Sequence, residues 1–146
     1  MKANVRAIGA IVAGVISAFV VITLAELVMS RIYPMPAGAT RGNATAMREW
    51  ISQLPAGAFL LVLCGWALGA LAGGFVSAKI ERPTSVRRAA IIGGALLAAS
   101  VLNMMRIPHP IWMWIGAIVL IVPAAILGAR VASGPPVAGG VPVTSA

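Results

Sequence analysis

The sequence predicts an all-α membrane protein, a bundle of four transmembrane helices with a short interfacial helix in its first loop. Three observations support this fold class: 60% of the 146 residues are hydrophobic, only 10% are charged, and the apolar residues form four long segments separated by short polar ones. A soluble domain carries about 25% charged residues. This chain therefore lacks the polar side chains that would cover a soluble core.

The excess of basic residues points to a membrane surface rather than to nucleic acid. Lys and Arg number 11 against three Asp and Glu, which gives a net charge of +8. They stand at the ends of the apolar segments, where they act as topology signals and headgroup anchors. Because no basic face with interleaved aromatic residues occurs, nucleic-acid binding is not expected. The expected partners are the lipid bilayer and either a second copy of the chain or another membrane protein.

One transmembrane domain, residues 1–132, is predicted to hold all four spans. Their expected ranges are 7–30, 55–78, 89–105 and 111–129. The first span covers about 36 Å at 1.5 Å per residue, enough to cross a bilayer with some tilt. It is longer than the roughly 7–15 apolar residues of a signal peptide, so we expect an uncleaved helix.

Between the first two spans, apolar residues recur at helical spacing from Ala44 to Leu54. This pattern predicts a short amphipathic helix that lies on the bilayer surface with Trp50 in the interface. Asn43 or Thr45 is the expected N-cap, because both side chains carry an oxygen that accepts a backbone N–H at a helix start.

The second half of the chain contains a short third span and a proline-containing fourth. The third span is about 26 Å long, so Arg88 and Arg106 are expected to snorkel to opposite interfaces. Pro123 removes a hydrogen bond to the carbonyl of Val119, which predicts a kink in the fourth span. The tail, residues 133–146, is rich in Gly, Pro and Val and is expected to be a disordered cytoplasmic segment.

The distribution of basic residues predicts that both termini face the cytoplasm. Seven basic residues fall on the side of the termini and the second loop: Lys2, Arg6, Lys79, Arg82, Arg87, Arg88 and Arg130. The opposite side has four: Arg31, Arg41, Arg48 and Arg106. By the positive-inside rule, the side with more Lys and Arg is cytoplasmic. Four aromatic residues fall on the side opposite the termini, and we expect them at the outer interface: Tyr33, Trp50, Trp112 and Trp114.

A possible duplication relates the two halves. The first span ends in Arg31-Ile32 and the third in Arg106-Ile107, and each is followed by a Pro-x-Pro turn. Two helical hairpins of equal orientation would be related by an axis along the membrane normal. A chance similarity of two short turns explains the same residues, so both interpretations stay open.

Small residues at four-residue spacing predict tight helix packing. Apolar side chains gain nothing by leaving lipid for one another, so membrane helices associate by close backbone approach. The second span carries Gly65, Gly69 and Gly73, and Gly94 lies in the third. These faces could close within one chain or in a homo-oligomer.

Glu26 is the one ionisable residue inside a span. A charge at the helix centre costs about 3 kcal/mol on insertion scales, which makes an intramembrane acid a functional candidate. From its position in the span, Glu26 lies about 11 Å from the midplane, near the outer headgroups. Asn103, Arg106 and His109 are expected in the same layer. A structural pair of Glu26 with Arg106 or His109, a protonation or ligand site, and a snorkelling Glu26 all stay open.

No motif for catalysis, cofactor or metal binding is found. A single cysteine, Cys64, excludes an internal disulfide. A single histidine, His109, excludes paired axial haem ligation within one chain, and Glu26 with His109 supplies too few ligands for a metal. The sequence lacks the serine-hydrolase, zinc-protease and phosphate-loop patterns.

Several motifs resemble a group of small bacterial inner-membrane proteins with four helices and no assigned activity. They are Tyr33-Pro34 after Glu26, Leu54-Pro55-Ala56-Gly57-Ala58, Gly65-Trp66-Ala67-Leu68-Gly69, and Pro108-His109-Pro110-Ile111-Trp112. The resemblance covers most of the chain before the tail and implies the bacterial cytoplasmic membrane.

The chain is also similar to small multidrug-resistance exporters in size, helix number and a single acid in the first helix. Two features depart from that family. Its acid lies near the middle of the helix, whereas Glu26 is near one end. Its cavity is rich in aromatic residues, whereas Trp66 is the only Trp or Tyr expected in mid-membrane here.

The sequence therefore predicts a non-enzymatic membrane protein of structural or accessory type. The alternative is a small proton-coupled transporter that uses Glu26. A further alternative is a membrane enzyme or lipid-binding subunit with a polar site at the outer face. A polar cavity from Glu26 towards the midplane would favour the transporter, and a filled bundle would favour the accessory protein.

Overall fold

The computed structural model describes residues 2–39, 42–81 and 86–134, and this part of the chain contains helices and turns but no strand. Five helices follow one another: α1 Lys2–Ile32, α2 Ala44–Ser52, α3 Ala56–Ile80, α4 Val86–Arg106 and α5 Ile111–Ser133. All except α2 are long and apolar enough to cross a membrane. The prediction of a helical, multi-pass membrane protein is therefore confirmed at that level. The predicted tail lies outside the described residues, apart from Ser133 and Gly134.

The helix α3 lies at the centre of the bundle. Its most extensive contacts are with α5 on one side and α1 on the other, and α4 packs mainly against α5. No packing between α1 and α5 is found. Every long helix except α3 therefore keeps a broad apolar face towards the surroundings, as a lipid-embedded bundle requires.

The closest approach in the bundle is between α3 and α5. A Cβ atom on Gly74 would collide with the carbonyl of Ala125, and one on Gly128 would collide with the carbonyl of Leu71. At both positions the obstacle is backbone, which cannot rotate away as the end of a side chain can. Two glycines, one on each helix, therefore allow α3 and α5 to lie closer together than any larger residue would permit.

The predicted glycine face of α3 lies against α1 of the same chain. A Cβ on Gly65 would come within 2.6 Å of the Ala25 side chain, and one on Gly69 within 2.9 Å of the Ala18 carbonyl. Gly73 approaches Gly14 of α1, where a Cβ would lie 2.8 Å from the carbonyl oxygen. This face is thus occupied within one chain.

Gly94 packs against no other helix in the described part of this chain, so its predicted packing against a helix of a second copy stays a prediction. A Cβ at Gly94 would meet nothing within 4 Å, whereas one at Gly93 would lie 2.9 Å from the Cα of Val122 on α5. Successive residues of an α-helix point about 100° apart. The orientation of α4 that buries Ile92, Gly93 and Leu96 therefore turns Gly94 outward.

Large side chains fill the middle of the bundle. Ile92 of α4 and Met113 and Ile121 of α5 are fully buried. Pro123 lies inside α5 on its exposed side, and the helix continues past it to Ser133. The predicted kink at this proline stays a prediction.

Two arginines organise the end of the bundle where α3 ends and α4 begins. The Arg6 guanidinium donates two hydrogen bonds, of 3.1 and 2.8 Å, to the carbonyl oxygen of Ile80, the last residue of α3. A cation there satisfies a free carbonyl and opposes the negative end of the helix dipole. Arg88 forms an ion pair of 2.9 Å with Glu81.

The α3–α5 approach yields a prediction. Gly74→Ala should destabilise the protein by about 2 kcal/mol or more, because the added methyl group forces two backbones apart. Gly94→Ala is the matched control, and it should leave stability unchanged or raise it by up to about 1 kcal/mol through helix propensity. Thermal unfolding in a mild detergent measures both. Equal stability of the two variants would contradict close α3–α5 packing.

Candidate functional site

The candidate site lies at one end of the bundle, named here the α2 end. It comprises α2, the last turn of α4, the first turns of α3 and α5, and the turn between α4 and α5. At this end α2 begins with Asn43, whose side-chain oxygen accepts the Ala46 N–H at 3.2 Å. Asn43 is thus the N-cap, as one of the two expected alternatives.

The apolar face of α2 packs on the end of the bundle. Ile51 is buried, and Met47, Trp50 and Leu54 are partly buried against the main hydrophobic core. The predicted position of this helix in the bilayer interface, with Trp50 at the headgroups, stays a prediction.

Glu26 lies on an exposed face of α1 and borders a shallow groove of about 190 Å³. Asn103 and Ser100 of α4 and Trp66 of α3 line the same groove. The Ser100 hydroxyl donates to the Leu96 carbonyl at 2.9 Å. The structure thus brings Glu26 and Asn103, two of the four predicted site residues, to one groove.

The structure does not show Glu26 paired with Arg106 or His109. Within the described residues, no hydrogen bond or ion pair joins the Glu26 carboxylate to either side chain. Arg106 borders a different cavity, which faces α2. His109 packs against Trp66, the residue that also borders the groove of Glu26.

His109 is held in a defined orientation by its own turn and by aromatic rings. Its Nδ1 lies 2.7 Å from the Ile107 carbonyl oxygen. A carbonyl only accepts, so Nδ1 carries the proton and donates, and Nε2 keeps a free lone pair in the neutral ring. The ring centroids of Phe59 and Trp66 lie 6.0 and 6.2 Å away.

Burial lowers the pKa of His109 below its ordinary value of 6.5, and the hydrogen bond to Ile107 opposes part of that effect. The charged imidazolium would lose water in this surrounding without gaining a carboxylate partner. Around neutral pH the side chain is therefore an uncharged hydrogen-bonding group.

Two adjoining cavities open at the α2 end. The first, the apolar cavity, has a volume of about 500 Å³. Most of its wall is apolar, and its main members are Ile51, Leu54, Phe59, His109, Pro110 and Trp112. The second, the basic cavity, has a volume of about 370 Å³ and contains Arg48, Asn103 and Arg106. Arg48 and Pro108 border both, so the two cavities meet at these residues.

Sequence reasoning missed three residues of this site. Arg48 and Phe59 border the cavities, and Trp66 borders the groove of Glu26 and packs against His109. Arg48 stands on the polar face of α2, a position usual for any solvated charge. Its position beside both cavities follows from the tertiary structure, which brings α2 next to the turn between α4 and α5.

The arrangement offers hydrogen-bond donors and positive charge beside an apolar slot. Within the described ranges, no three side chains of His, Cys, Asp or Glu converge. The chemistry available here is recognition of an anionic or polar group next to an apolar one.

The burial of His109 predicts how stability depends on pH. Folding lowers the pKa of this base below its unfolded value of about 6.5, so the neutral ring stabilises the folded state above that pH. The free energy of unfolding then decreases as the pH falls from the unfolded pKa through the lower folded pKa. We expect the melting temperature in detergent to fall between about pH 7 and 5. His109→Gln should flatten this slope, since His109 is the only histidine. An equal slope in the variant would assign the effect to the carboxylates.

Comparisons with known proteins find no similar protein from which a function could be inferred. No protein-family model matches the chain, and neither a curated protein nor a solved structure is significantly similar to it. Function must therefore be argued from the packing of the bundle and the chemistry of the α2 end.

Proposed function

We propose that this protein is a non-enzymatic membrane protein of structural or accessory type. The observation that supports this proposal is the filled bundle. The side chains of Ile92, Leu96 and Ile121 are buried inside the bundle, and Gly74 and Gly128 bring the backbones of α3 and α5 into contact. Packing of this kind favours an accessory role over a carrier or channel.

The transporter alternative has less support. A proton-coupled carrier needs a polar cavity that connects its acid with the middle of the membrane. The groove of Glu26 is small, lies at the surface between α1 and α4, and ends on the buried ring of Trp66. Below it, Leu96 and Ile92 continue the apolar core.

Location and orientation belong to the same proposal. The resemblance of several motifs to small bacterial four-helix proteins and the distribution of basic residues support a bacterial cytoplasmic membrane with both termini inside. The basic residues of the described helices show the same asymmetry. The end of the bundle opposite α2 holds five of them, Arg6, Lys79, Arg87, Arg88 and Arg130, whereas the α2 end holds three, Arg31, Arg48 and Arg106.

Reporter fusions test the orientation. A fusion in the segment 82–85 should report the cytoplasm, and a fusion near Arg41 should report the opposite side, because the side richer in Lys and Arg stays inside. A cytoplasmic signal from the fusion near Arg41 would contradict the orientation.

Flux measurements separate the accessory role from transport. In proteoliposomes with a pH gradient, the protein should move neither protons nor the hydrophobic cations ethidium and tetraphenylphosphonium faster than empty vesicles do. Glu26→Gln should fold as stably as the parent or better, because no ion pair is lost and desolvation of a carboxylate is relieved. Cation-linked proton flux that disappears in Glu26→Gln, but persists in the control Glu49→Gln, would establish the transporter instead.

A further inference from the structure

The proposed accessory role does not account for the two cavities at the α2 end. Each has a volume within the range of about 300–1,000 Å³ that is usual for ligand pockets. Both are bordered by Arg48 and Pro108, so the two cavities are direct neighbours. The chemistry of their walls therefore describes one ligand with two unlike parts.

The basic cavity selects for negative charge. Its polar side chains are those of Arg48, Asn103 and Arg106, and none of them is an acid. Within the described part of the chain, neither arginine forms an ion pair, and Glu49, the neighbour of Arg48, borders neither cavity. Two guanidinium groups present planar sets of donors that match the oxygens of a phosphate.

The apolar cavity selects for a hydrocarbon chain. Ile51, Phe59 and Trp112 contribute large apolar surfaces, and His109 adds an uncharged ring. Trp112 remains 40% exposed, so the cavity opens to the side of the bundle at the first turn of α5. A small soluble anion would satisfy the arginines but would leave this surface unused.

The position of the site agrees with a lipid. It lies where α4 ends and where α3 and α5 begin, which is the level of the headgroups for helices that cross the bilayer. At that depth an anionic phospholipid presents its phosphate to the basic cavity while its chains are already among apolar side chains.

We propose that the α2 end binds one anionic phospholipid, with its phosphate between Arg48 and Arg106 and an acyl chain in the apolar cavity. This site goes beyond the accessory role and does not depend on it or on the orientation of the chain. It differs from general attraction of lipid headgroups to basic residues, because it requires two specific arginines and a neighbouring slot.

The first experiment measures lipid selectivity. The full chain, purified in an uncharged detergent, is titrated with phosphatidylglycerol and with phosphatidylcholine of identical chains, and bound lipid is counted by native mass spectrometry. Phosphatidylglycerol should bind at least about tenfold more tightly. The double variant Arg48→Gln, Arg106→Gln should lose this preference, because its charge-assisted hydrogen bonds are removed.

Arg31→Gln is the matched control, since Arg31 is an exposed arginine at the same end of the bundle and borders neither cavity. It should keep the parent's selectivity. Equal binding of the two lipids by the parent, or an equal loss in Arg31→Gln, would overturn the proposal. Melting temperatures of all variants establish that they are folded.

The second experiment separates a lipid from a free anion and needs no arginine variant. Soluble glycerophosphoglycerol should fail to displace bound phosphatidylglycerol at equal concentration. Ala56→Trp, which fills the apolar cavity, should weaken lipid binding about tenfold, whereas Leu60→Trp on an exposed face should not. Displacement by the soluble headgroup, or full lipid affinity in Ala56→Trp, would show a simple anion site and refute the lipid proposal.

Discussion

Close backbone approach around α3 is the constraint on which the rest of the structure depends. In a bilayer, apolar side chains gain little by leaving lipid for one another, so helices associate where small residues let their backbones meet. On α3, Gly69 and Gly73 receive α1, and Gly74 on the adjacent face receives α5 together with Gly128. One helix thus carries two smooth faces, which explains why α3 is central while α1 and α5 do not touch.

The packing of α3 also shapes the α2 end. The main core reaches this end of the bundle through Phe59 near the start of α3 and Met113 in the first turn of α5. Ile51 of α2 is buried there, although α2 itself is short and polar on its other face. The cover is incomplete, and the two cavities remain beside it. A helix that would be marginal alone is thereby held by tertiary contacts.

Glu26 is a carboxylate in a membrane-spanning helix that forms no ion pair with another described residue. It lies near the end of α1 on an exposed face, where a carboxylate can reach towards headgroups and water. The groove it borders is shallow, and Trp66, which also lines this groove, is apolar over most of its surface. More polar side chains gather at the α2 end than around Glu26. There His109 lies beside the apolar cavity and packs on Trp66, and Arg48 and Arg106 border the basic cavity.

The sequence by itself determined the class of protein, the four apolar spans, the amphipathic α2 and the glycine face of α3, because these follow from composition and from the local 3.6-residue period. Only the tertiary structure decided which faces meet. Gly93 packs and Gly94 does not, since one residue turns a helix face by about 100° and nothing local sets that rotation. The same holds for Arg48 and Arg106, which are far apart in sequence and border one cavity between α2 and the end of α4. Such long-range placement results from the packing of all helices together, which no single segment encodes.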